Sequence, residues 1–198
     1  MDVKVFDKKD LNPTQIAFLE TYGVNVVFVR LADPEFNPLH WEAQGDWIDL
    51  KLAEDLTLKK GDYYEASLGL SAKIPEGYEA HIEPRSSTYK RYHILMANEM
   101  GIVDNSYSGN DDVWHFLLYT TEDTQIAKGT RIAQFRLMPN MKTMFWGKPM
   151  PKGVKFPHRV PNLIYSNGFV DLTEYDLVIV YTDELGSANR GGVGSTGY

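Results

Sequence analysis

Residues 101–109 read Gly-Ile-Val-Asp-Asn-Ser-Tyr-Ser-Gly. The β-branched residues Ile102 and Val103 predict a strand that delivers Asp104 into a polar turn, and Tyr107 follows three residues later. A strand end holds a carboxylate rigidly, and an aromatic ring can form one wall of a small-molecule site. In isolation the segment is more typical of a plain β-hairpin, in which Asp and Asn shape the turn. Its neighbours in the sequence therefore decide how it is interpreted.

The region around this segment has the pattern of many short β-strands. The candidate strands are Trp47–Leu52, Asp62–Leu70, Glu79–Pro84, Ile94–Met96, Trp114–Thr120 and Arg131–Met138. Turn signals such as Lys60-Gly61 and Lys128-Gly129 separate them at intervals of roughly ten residues. This cadence is typical of a β-barrel or a jelly roll, so we expect an all-β fold.

The N-terminal part and one internal segment have other patterns. Residues 1–22 contain a short amphipathic pattern with Asn12-Pro13 as a helix start. The alternating segment Val24–Leu31 predicts a strand, and Asp33–Gly45, which holds two prolines, predicts a loop. Within the β region, only Ser87–Arg91 predicts a short helix.

The C-terminal part differs from the β region in composition. Residues 138–186 contain several prolines with aromatic residues between them, which predicts a packed extension that includes a strand at Tyr175–Tyr181. Residues 187–198 are rich in glycine and lack a hydrophobic pattern. We therefore expect one domain, residues 1–186, in which the extension packs on the barrel, followed by a mobile glycine-rich lid, residues 187–198.

Composition excludes several classes of protein. The chain has 198 residues, of which 43% are hydrophobic and 24% charged, as in an ordinary globular domain. A net charge of −7 argues against a nucleic-acid partner, and no apolar run has the length of a membrane helix. The N-terminus lacks the pattern of a secretory signal, and the chain has no cysteine. These features predict a cytoplasmic protein, and its five scattered histidines lack the spacing of a zinc site.

Three further segments carry candidate chemistry. Pro84-Arg-Ser-Ser87 ends a strand and begins a helix, where hydroxyls, backbone N–H groups and a guanidinium can hold an anion, although a plain helix cap fits equally well. Lys128–Gln134 enters a strand from a turn and alone indicates a hairpin. Arg190–Gly197 offers an arginine, two hydroxyls and unhindered backbone amides, which is the composition of a phosphate cradle.

Taken together and in this order, these segments resemble the five motifs of the trimeric deoxyuridine triphosphatase (dUTPase) family. The first motif looks like Ala43–Leu50, with Asp49 in the acidic position. The resemblance covers roughly residues 43–137 and the last nine. In the third motif, the opening segment, Ser108 stands where the family usually has arginine, and Asn110 follows where it usually has glutamate.

The resemblance implies a fold, an activity and an assembly. Members of this family have a jelly-roll-like β-barrel and hydrolyse dUTP to dUMP and pyrophosphate with Mg²⁺. Three subunits form a homotrimer with three shared active sites. The extension is longer than the family's usual connection, and we expect it to be a strand and loops that pack on the barrel and lead the tail to a neighbouring subunit.

The resemblance also assigns roles to single residues around the nucleoside. Asp104 would be the catalytic residue that orients the attacking water, and it would contact the sugar 3′-hydroxyl. Tyr107 would lie against the deoxyribose and exclude a 2′-hydroxyl. Asn98 would read uracil, and backbone groups near Gly101 and Ile102 would complete the uracil edge.

The remaining implied roles concern the triphosphate and the metal. The residues that would hold phosphate oxygens or close over the nucleotide are Arg85, Ser86, Ser87, Gln134, Arg190, Val193, Gly194, Ser195 and Thr196. Asp49 would bind Mg²⁺ only through water, because Mg²⁺ can use triphosphate oxygens and waters as its ligands. Val193 stands where the family usually has phenylalanine, which predicts a weaker hold on the uracil ring.

Two other functions remain open at this stage. A dCTP deaminase, or a bifunctional deaminase and triphosphatase, would need a further acid–base carboxylate near the base, for which Glu99 and Glu83 are the nearest candidates. A non-enzymatic β-trimer that binds dUTP or serves a structural role is the second alternative.

Overall fold

The computed structural model describes residues 1–22, 25–141, 163–165, 168–170 and 175–191. Most of the regular structure in these residues is β. The strands are β1 Val3–Asp7, β2 Val26–Leu31, β3 Leu39–Trp41, β4 Ile48–Lys51, β5 Leu56–Leu58, β6 Tyr63–Ser67, β7 Leu70–Lys73, β8 Tyr78–Pro84, β9 Ile94–Met96, β10 Gly101–Val103, β11 His115–Thr120, β12 Thr124–Ile126, β13 Arg131–Pro139, β14 Leu163–Tyr165, β15 Gly168–Val170 and β16 Leu177–Tyr181. The helices are α1 Pro13–Tyr22, α2 Thr88–Tyr92 and a single 3₁₀ turn, Lys8–Asp10.

Five strands form the sheet that positions the candidate site. Their order is β10-β8-β13-β4-β3, and each neighbouring pair is antiparallel. Strand β10 is therefore an outer strand of this sheet, and β8 lies between β10 and β13. Smaller sheets have the orders β6-β11-β9, β12-β5 and β14-β15.

The main hydrophobic core packs against this sheet. Because successive side chains of a strand point to opposite faces, β8 buries Ala80 and Ile82 while its other residues are partly exposed. Trp114 is almost fully buried and contacts Phe135 edge to face, with ring centroids 5.1 Å apart. The sheet that carries the candidate residues is thus fixed by a large apolar core.

The two ends of the described chain meet in a second sheet of order β1-β16-β2-β7. Strand β16 lies between β1 and β2 and runs parallel to both. Its buried residues Val178 and Val180 join a second core cluster that includes Leu19 of α1. Strand β16, which belongs to the predicted extension, therefore pairs with two strands from the N-terminal part of the same chain.

The predicted all-β fold class is confirmed, as are most of its elements. Five of the six predicted barrel strands agree with the structure to within one residue at each end, and the predicted strands before residue 31 and near residue 180 are present. The short helix after Ser87 and the helix after Asn12 are present as α2 and α1. Among the described residues, no helix has the length and apolarity to cross a membrane.

Two expectations were wrong. Asp33–Gly45 is not entirely loop, because Leu39–Trp41 pairs with β4 as strand β3. Asp62–Leu70 is not one strand but ends at Ser67, and β7 begins at Leu70. The reason for the second is Gly69, which has a φ of +69° and no room for a side chain, since a Cβ there would lie 2.7 Å from the Cβ of Ala53.

Candidate active site

The candidate catalytic residue, Asp104, follows the outer strand β10. Gly101 and Val103 of that strand lie opposite Ile82 and Ala80 of β8. A Cβ on Gly101 would lie only 3.0 Å from the Met96 side chain and 3.2 Å from that of Ile82, so glycine lets the strands pack closely. The Asp104 carboxylate therefore lies at the end of a rigid strand.

Both oxygens of the Asp104 carboxylate have partners. Oδ1 accepts hydrogen bonds from the Ser106 hydroxyl and from the Ser106 backbone N–H at 2.8 Å. Oδ2 accepts one from the Arg190 guanidinium. Partial burial alone would raise the pKa of Asp104, but the Ser106 and Arg190 hydrogen bonds together hold that pKa below its ordinary value. The carboxylate is therefore ionised at neutral pH, and it remains half exposed.

Tyr107 lies on the same turn and is fixed at both ends. Its backbone N–H donates to the Asp104 carbonyl at 3.1 Å, and its hydroxyl donates to the Val113 carbonyl at 3.0 Å. Burial, and then the negative charges of Asp112 and Glu65, raise the pKa of the Tyr107 hydroxyl. The ring is thus a neutral, rigid wall beside Asp104.

The predicted uracil-reading residues lie next to this turn. Asn98 is exposed in the connection between β9 and β10, where Glu99 adopts a left-handed φ of 60°. Ile102 is 59% exposed. Because β10 is an outer strand, its backbone groups on the side away from β8 can meet a ligand. The structure therefore brings Tyr107 and Arg190 into contact with Asp104, and it places Gly101, Ile102 and Asn98 on the strand and connection that precede Asp104.

A second carboxylate–arginine cluster surrounds Asp49. The Asp49 carboxylate accepts from Nε of Arg85 at 2.8 Å and from Nη1 of Arg131 at 3.1 Å. Only 12% of the Asp49 side chain is exposed. Arg131 also lies 3.6 Å from Glu42. Asp49 is therefore a buried anchor between two guanidinium groups.

The other predicted phosphate residues surround this second cluster. Gln134 lies opposite Asp49 on β4 and opposite Glu83 on β8, and its Nε2 donates to the Pro84 carbonyl at 3.4 Å. Ser86 is exposed, and Ser87 precedes α2 without using its hydroxyl as a helix cap. The structure therefore brings together Asp49, Arg85, Ser86, Ser87 and Gln134.

The two groups lie at opposite ends of β8. Because Val103 pairs with Ala80, Asp104 lies beside the first residues of that strand, whereas Arg85 follows its last residue. At ~3.3 Å per residue, the six residues from Glu79 to Arg85 span about 20 Å. The structure of this chain thus does not bring Asp104 and Arg85 together.

Three residues near these groups were missed by the sequence interpretation. Ser106 holds Asp104, Arg131 holds Asp49, and Asp112 binds the backbone of Arg190. Ser106 and Arg131 fall inside motifs that the sequence already displayed, whereas Asp112 had no recognisable signal. Val193, Gly194, Ser195 and Thr196 lie outside the described residues.

The described ranges contain no group of three or more histidine or acidic residues arranged to hold a metal ion. Direct ligation of a metal ion by Asp49 is unfavourable, because the two guanidinium groups bound to its carboxylate would repel a cation. Each oxygen retains a lone pair that a metal-bound water could use. The residues present therefore fit an ion held by ligand oxygens and water rather than by a protein cage.

The all-β fold thus carries two clusters in which arginines, side chains that can also bind phosphate, lie against carboxylates. The chain belongs to the dUTPase family, whose model matches residues 45–147. It is 44% identical over 154 residues to the SPbeta prophage-derived deoxyuridine 5′-triphosphate nucleotidohydrolase YosS of Bacillus subtilis, covering 78% of this chain and 85% of that protein. It is 35% identical over 97 residues to the deoxyuridine 5′-triphosphate nucleotidohydrolase of Leifsonia xyli, covering 49% of this chain and 64% of that protein.

Solved structures show the same fold. The dUTPase of Streptococcus mutans superposes with a TM-score of 0.51 at 21% identity, over 57% of this chain and 95% of its own. A mutant dUTPase from phage phi11 of Staphylococcus aureus, which coordinates a structural Mg(II) ion, has a TM-score of 0.50 at 20% identity, over 58% of this chain and 90% of its own.

Proposed function

We propose that the protein hydrolyses dUTP to dUMP and pyrophosphate, with Asp104 orienting the attacking water. The observation that carries this proposal is the environment of Asp104. An ionised, half-exposed carboxylate stands at a rigid strand end beside the wall formed by Tyr107, in a chain that belongs to the dUTPase family. The strong resemblance to proteins named deoxyuridine 5′-triphosphate nucleotidohydrolase supports the same reaction.

The role of Asp104 follows from its charge state. A carboxylate that remains ionised at neutral pH can accept a hydrogen bond from water and take its proton as the water attacks phosphorus. Ser106 fixes the orientation of Asp104 through Oδ1. Arg190 holds Oδ2 in the structure and can move to a phosphate oxygen, since arginine binds both kinds of anion. That exchange would free Oδ2 for the water or for the sugar 3′-hydroxyl.

Selection of the nucleoside would depend on the outer strand. The Asn98 amide and the free backbone edge near Gly101 and Ile102 can donate to and accept from the uracil edge. The fixed ring of Tyr107 would lie against the deoxyribose and leave no room for a 2′-hydroxyl. Rigid positioning of this kind is the main contribution that a protein makes to phosphoryl transfer.

The phosphate-binding residues would come from a second subunit. Arg85, which Ser86 and Ser87 follow, lies about 20 Å along β8 from Asp104, much farther than a triphosphate chain reaches. Gln134 lies opposite Glu83, near the same end of the strand. A complete site therefore needs the Arg85 end of one subunit beside the Asp104 end of another. The homotrimer that the resemblance implies provides such an arrangement, because each interface of a ring brings different surfaces together.

Magnesium is the proposed cofactor. When bound to the triphosphate, it would supply charge neutralisation at the phosphate oxygens. Asp49 would accept hydrogen bonds from the waters of the ion, while Arg85 and Arg131 keep its carboxylate in place. No direct protein ligand is proposed.

The proposal is tested by incubating the protein with each of the four common dNTPs, dUTP and UTP in the presence of Mg²⁺ and measuring pyrophosphate. Release from dUTP, with little from UTP, is the expected result. Ammonia release from dCTP would instead indicate a deaminase. Binding of dUTP without any product would identify a non-enzymatic nucleotide-binding protein.

A further inference from the structure

A cavity lies between the five-stranded sheet and the sheet that holds both ends of the described chain. Its volume is about 390 Å³, which is within the range of small-molecule sites. Ile48 of β4 and Phe135 of β13 line it from the first sheet, and Leu177 of β16 lines it from the second. Neither Asp49 nor Asp104 is among the described residues that line it. This inter-sheet cavity is therefore separate from the candidate active site.

The buried residues that line the inter-sheet cavity are mostly apolar. Ile48 and Phe135 lie opposite each other in β4 and β13, and each is only 2% exposed. Leu177 is 6% exposed, and the partly buried Leu137 extends the same surface. A ligand with an apolar body, and especially one with an aromatic ring, therefore fits against these side chains.

Asn25 is the buried polar residue of the cavity. It is 9% exposed, and its Nδ2 donates to the Tyr175 carbonyl at 3.1 Å. This hydrogen bond fixes which end of the amide is the oxygen. Oδ1 is buried and accepts no hydrogen bond from the described residues. Because an unpaired buried acceptor is costly, this end of the cavity favours a ligand with an N–H or O–H donor.

Exposed charges of both signs complete the lining. Asp46 lies just before β4, and its carboxylate accepts from none of the described residues. Asp176 is a second carboxylate there, and its Oδ2 accepts from the Asp2 backbone N–H at 2.9 Å. The Arg136 guanidinium lies over the ring of Trp47, 4.6 Å from its centroid, which leaves the N–H groups in the guanidinium plane able to donate. A ligand that carries both an ammonium and a carboxylate group matches these charges.

We propose that the inter-sheet cavity binds a free aromatic α-amino acid whose ring carries an N–H or O–H donor. The ring would lie against Ile48 and Phe135, and its N–H or O–H would donate to Oδ1 of Asn25. The ammonium group would meet Asp46, and the carboxylate would meet Arg136. This inference does not depend on dUTP hydrolysis, because it uses none of the residues assigned to that reaction.

Calorimetric titration of the wild-type protein with L-tryptophan and with L-tyrosine is the first test. We expect one molecule of each per chain, with a Kd of about 10⁻⁴–10⁻³ M for a ligand of this size. The absence of saturable binding for both amino acids would overturn the proposal.

Analogues of L-tryptophan test each of the three polar contacts without altering the protein. The compound 1-methyl-L-tryptophan lacks the ring N–H, tryptamine lacks the carboxylate, and indole-3-propionate lacks the ammonium group. Each should bind at least about fivefold more weakly than L-tryptophan, because one polar group of the cavity is left unpaired. Analogues that all bind as well as L-tryptophan would contradict the assigned contacts.

Two substitutions locate the charged groups of the ligand. Asp46→Asn should weaken binding of L-tryptophan by about fivefold and leave indole-3-propionate unchanged, since that analogue has no ammonium group. Arg136→Gln should weaken L-tryptophan and leave tryptamine unchanged. Both side chains are exposed, so the fold should tolerate these changes. If amino acid and analogue lose equally, the ligand does not meet these two residues.

Asp104→Asn is the matched control, because Asp104 also lies beside an arginine and could hold a zwitterion. This variant should bind L-tryptophan as the wild type does. Loss of binding in Asp104→Asn, with Asp46→Asn unaffected, would place the amino acid at the turn after β10 and overturn the proposal.

Discussion

Asp49 and Asp104 lie near opposite ends of β8, and arginines bind these two aspartates in different ways. Asp49 is nearly buried and is held by Arg85 and Arg131. Asp104 is half exposed and has one guanidinium, that of Arg190, together with the hydroxyl and N–H of Ser106. The Asp49 carboxylate keeps two arginines in place, whereas the arginine that binds Asp104 can exchange for another partner.

This difference indicates which of the two carboxylates is structural and which is catalytic. A buried carboxylate between two guanidinium groups gains nothing by changing partners, because any rearrangement leaves a charge without compensation. A half-exposed carboxylate can exchange an arginine for water or a ligand at small cost, since solvent screens the pair. We therefore assign chemistry to Asp104 and positioning of the phosphate-binding side chains to Asp49.

The largest expected effect is on turnover at Asp104. Asp104→Asn removes the acceptor for the water proton and should lower kcat by about 10²–10⁴-fold. The melting temperature should change little because the side chain is half exposed. Pyrophosphate release and thermal unfolding measured on the same preparation check both parts. Full turnover in this variant would remove Asp104 from the mechanism.

Substitution of Asp49, in contrast, should clearly lower the stability of the protein. Asp49→Asn leaves two neighbouring guanidinium groups without their counter-charge, and we expect the free energy of unfolding to fall by about 2–3 kcal/mol. Urea unfolding monitored by tryptophan fluorescence measures this change. If stability is unaltered, Asp49 is not the anchor that the structure indicates.

A smaller loss of stability is expected at Asp112, whose partners are neutral N–H groups. Asp112→Asn keeps one acceptor oxygen and should lower the free energy of unfolding by about 1–2 kcal/mol. Gly45→Ala is a suitable control, because a Cβ there would meet only backbone atoms at 3.7 Å or more. If Gly45→Ala lowers the free energy of unfolding as much as Asp112→Asn does, the hydrogen bonds of Asp112 to Gly109 and Arg190 make no specific contribution to stability.

The smallest expected effect is on titration. Arg190→Ala removes one of the groups that lower the pKa of Asp104, so that pKa should rise toward its ordinary value. Because the folded-state pKa is depressed, the contact stabilises the protein above the unfolded-state pKa and is lost as pH falls through the folded-state pKa. Carboxyl ¹³C NMR, assigned with Asp104→Asn, measures the shift. An unchanged titration would mean that Arg190 does not bind Asp104 in solution.

Sequence predicted most of the sheet because alternating burial and turn residues are local signals. Strand β3 was missed because Leu39–Trp41 lies in the segment Asp33–Gly45, whose two prolines predicted a loop. The division of Asp62–Leu70 was missed because the close approach of Gly69 to Ala53 joins distant parts of the chain.

The candidate site was predictable as a set of motifs but not as a geometry. Resemblance identified Asp104, Tyr107 and Arg85, yet only the register of β10 on β8 shows that Asp104 and Arg85 lie at opposite ends of one strand. Asp112 is a single acidic residue in an acidic turn, and its contact with Arg190 spans 78 residues of sequence. No local pattern carries that information.

The most direct test of the account is complementation between the two ends of β8. Asp104→Asn and Arg85→Gln subunits, each with strongly reduced activity alone, are unfolded together, refolded at equal ratio and assayed for pyrophosphate release from dUTP. If each site takes Asp104 from one chain and Arg85 from another, the mixture should recover about a quarter of wild-type activity. A mixture no more active than its two components, despite normal assembly, would contradict the shared site.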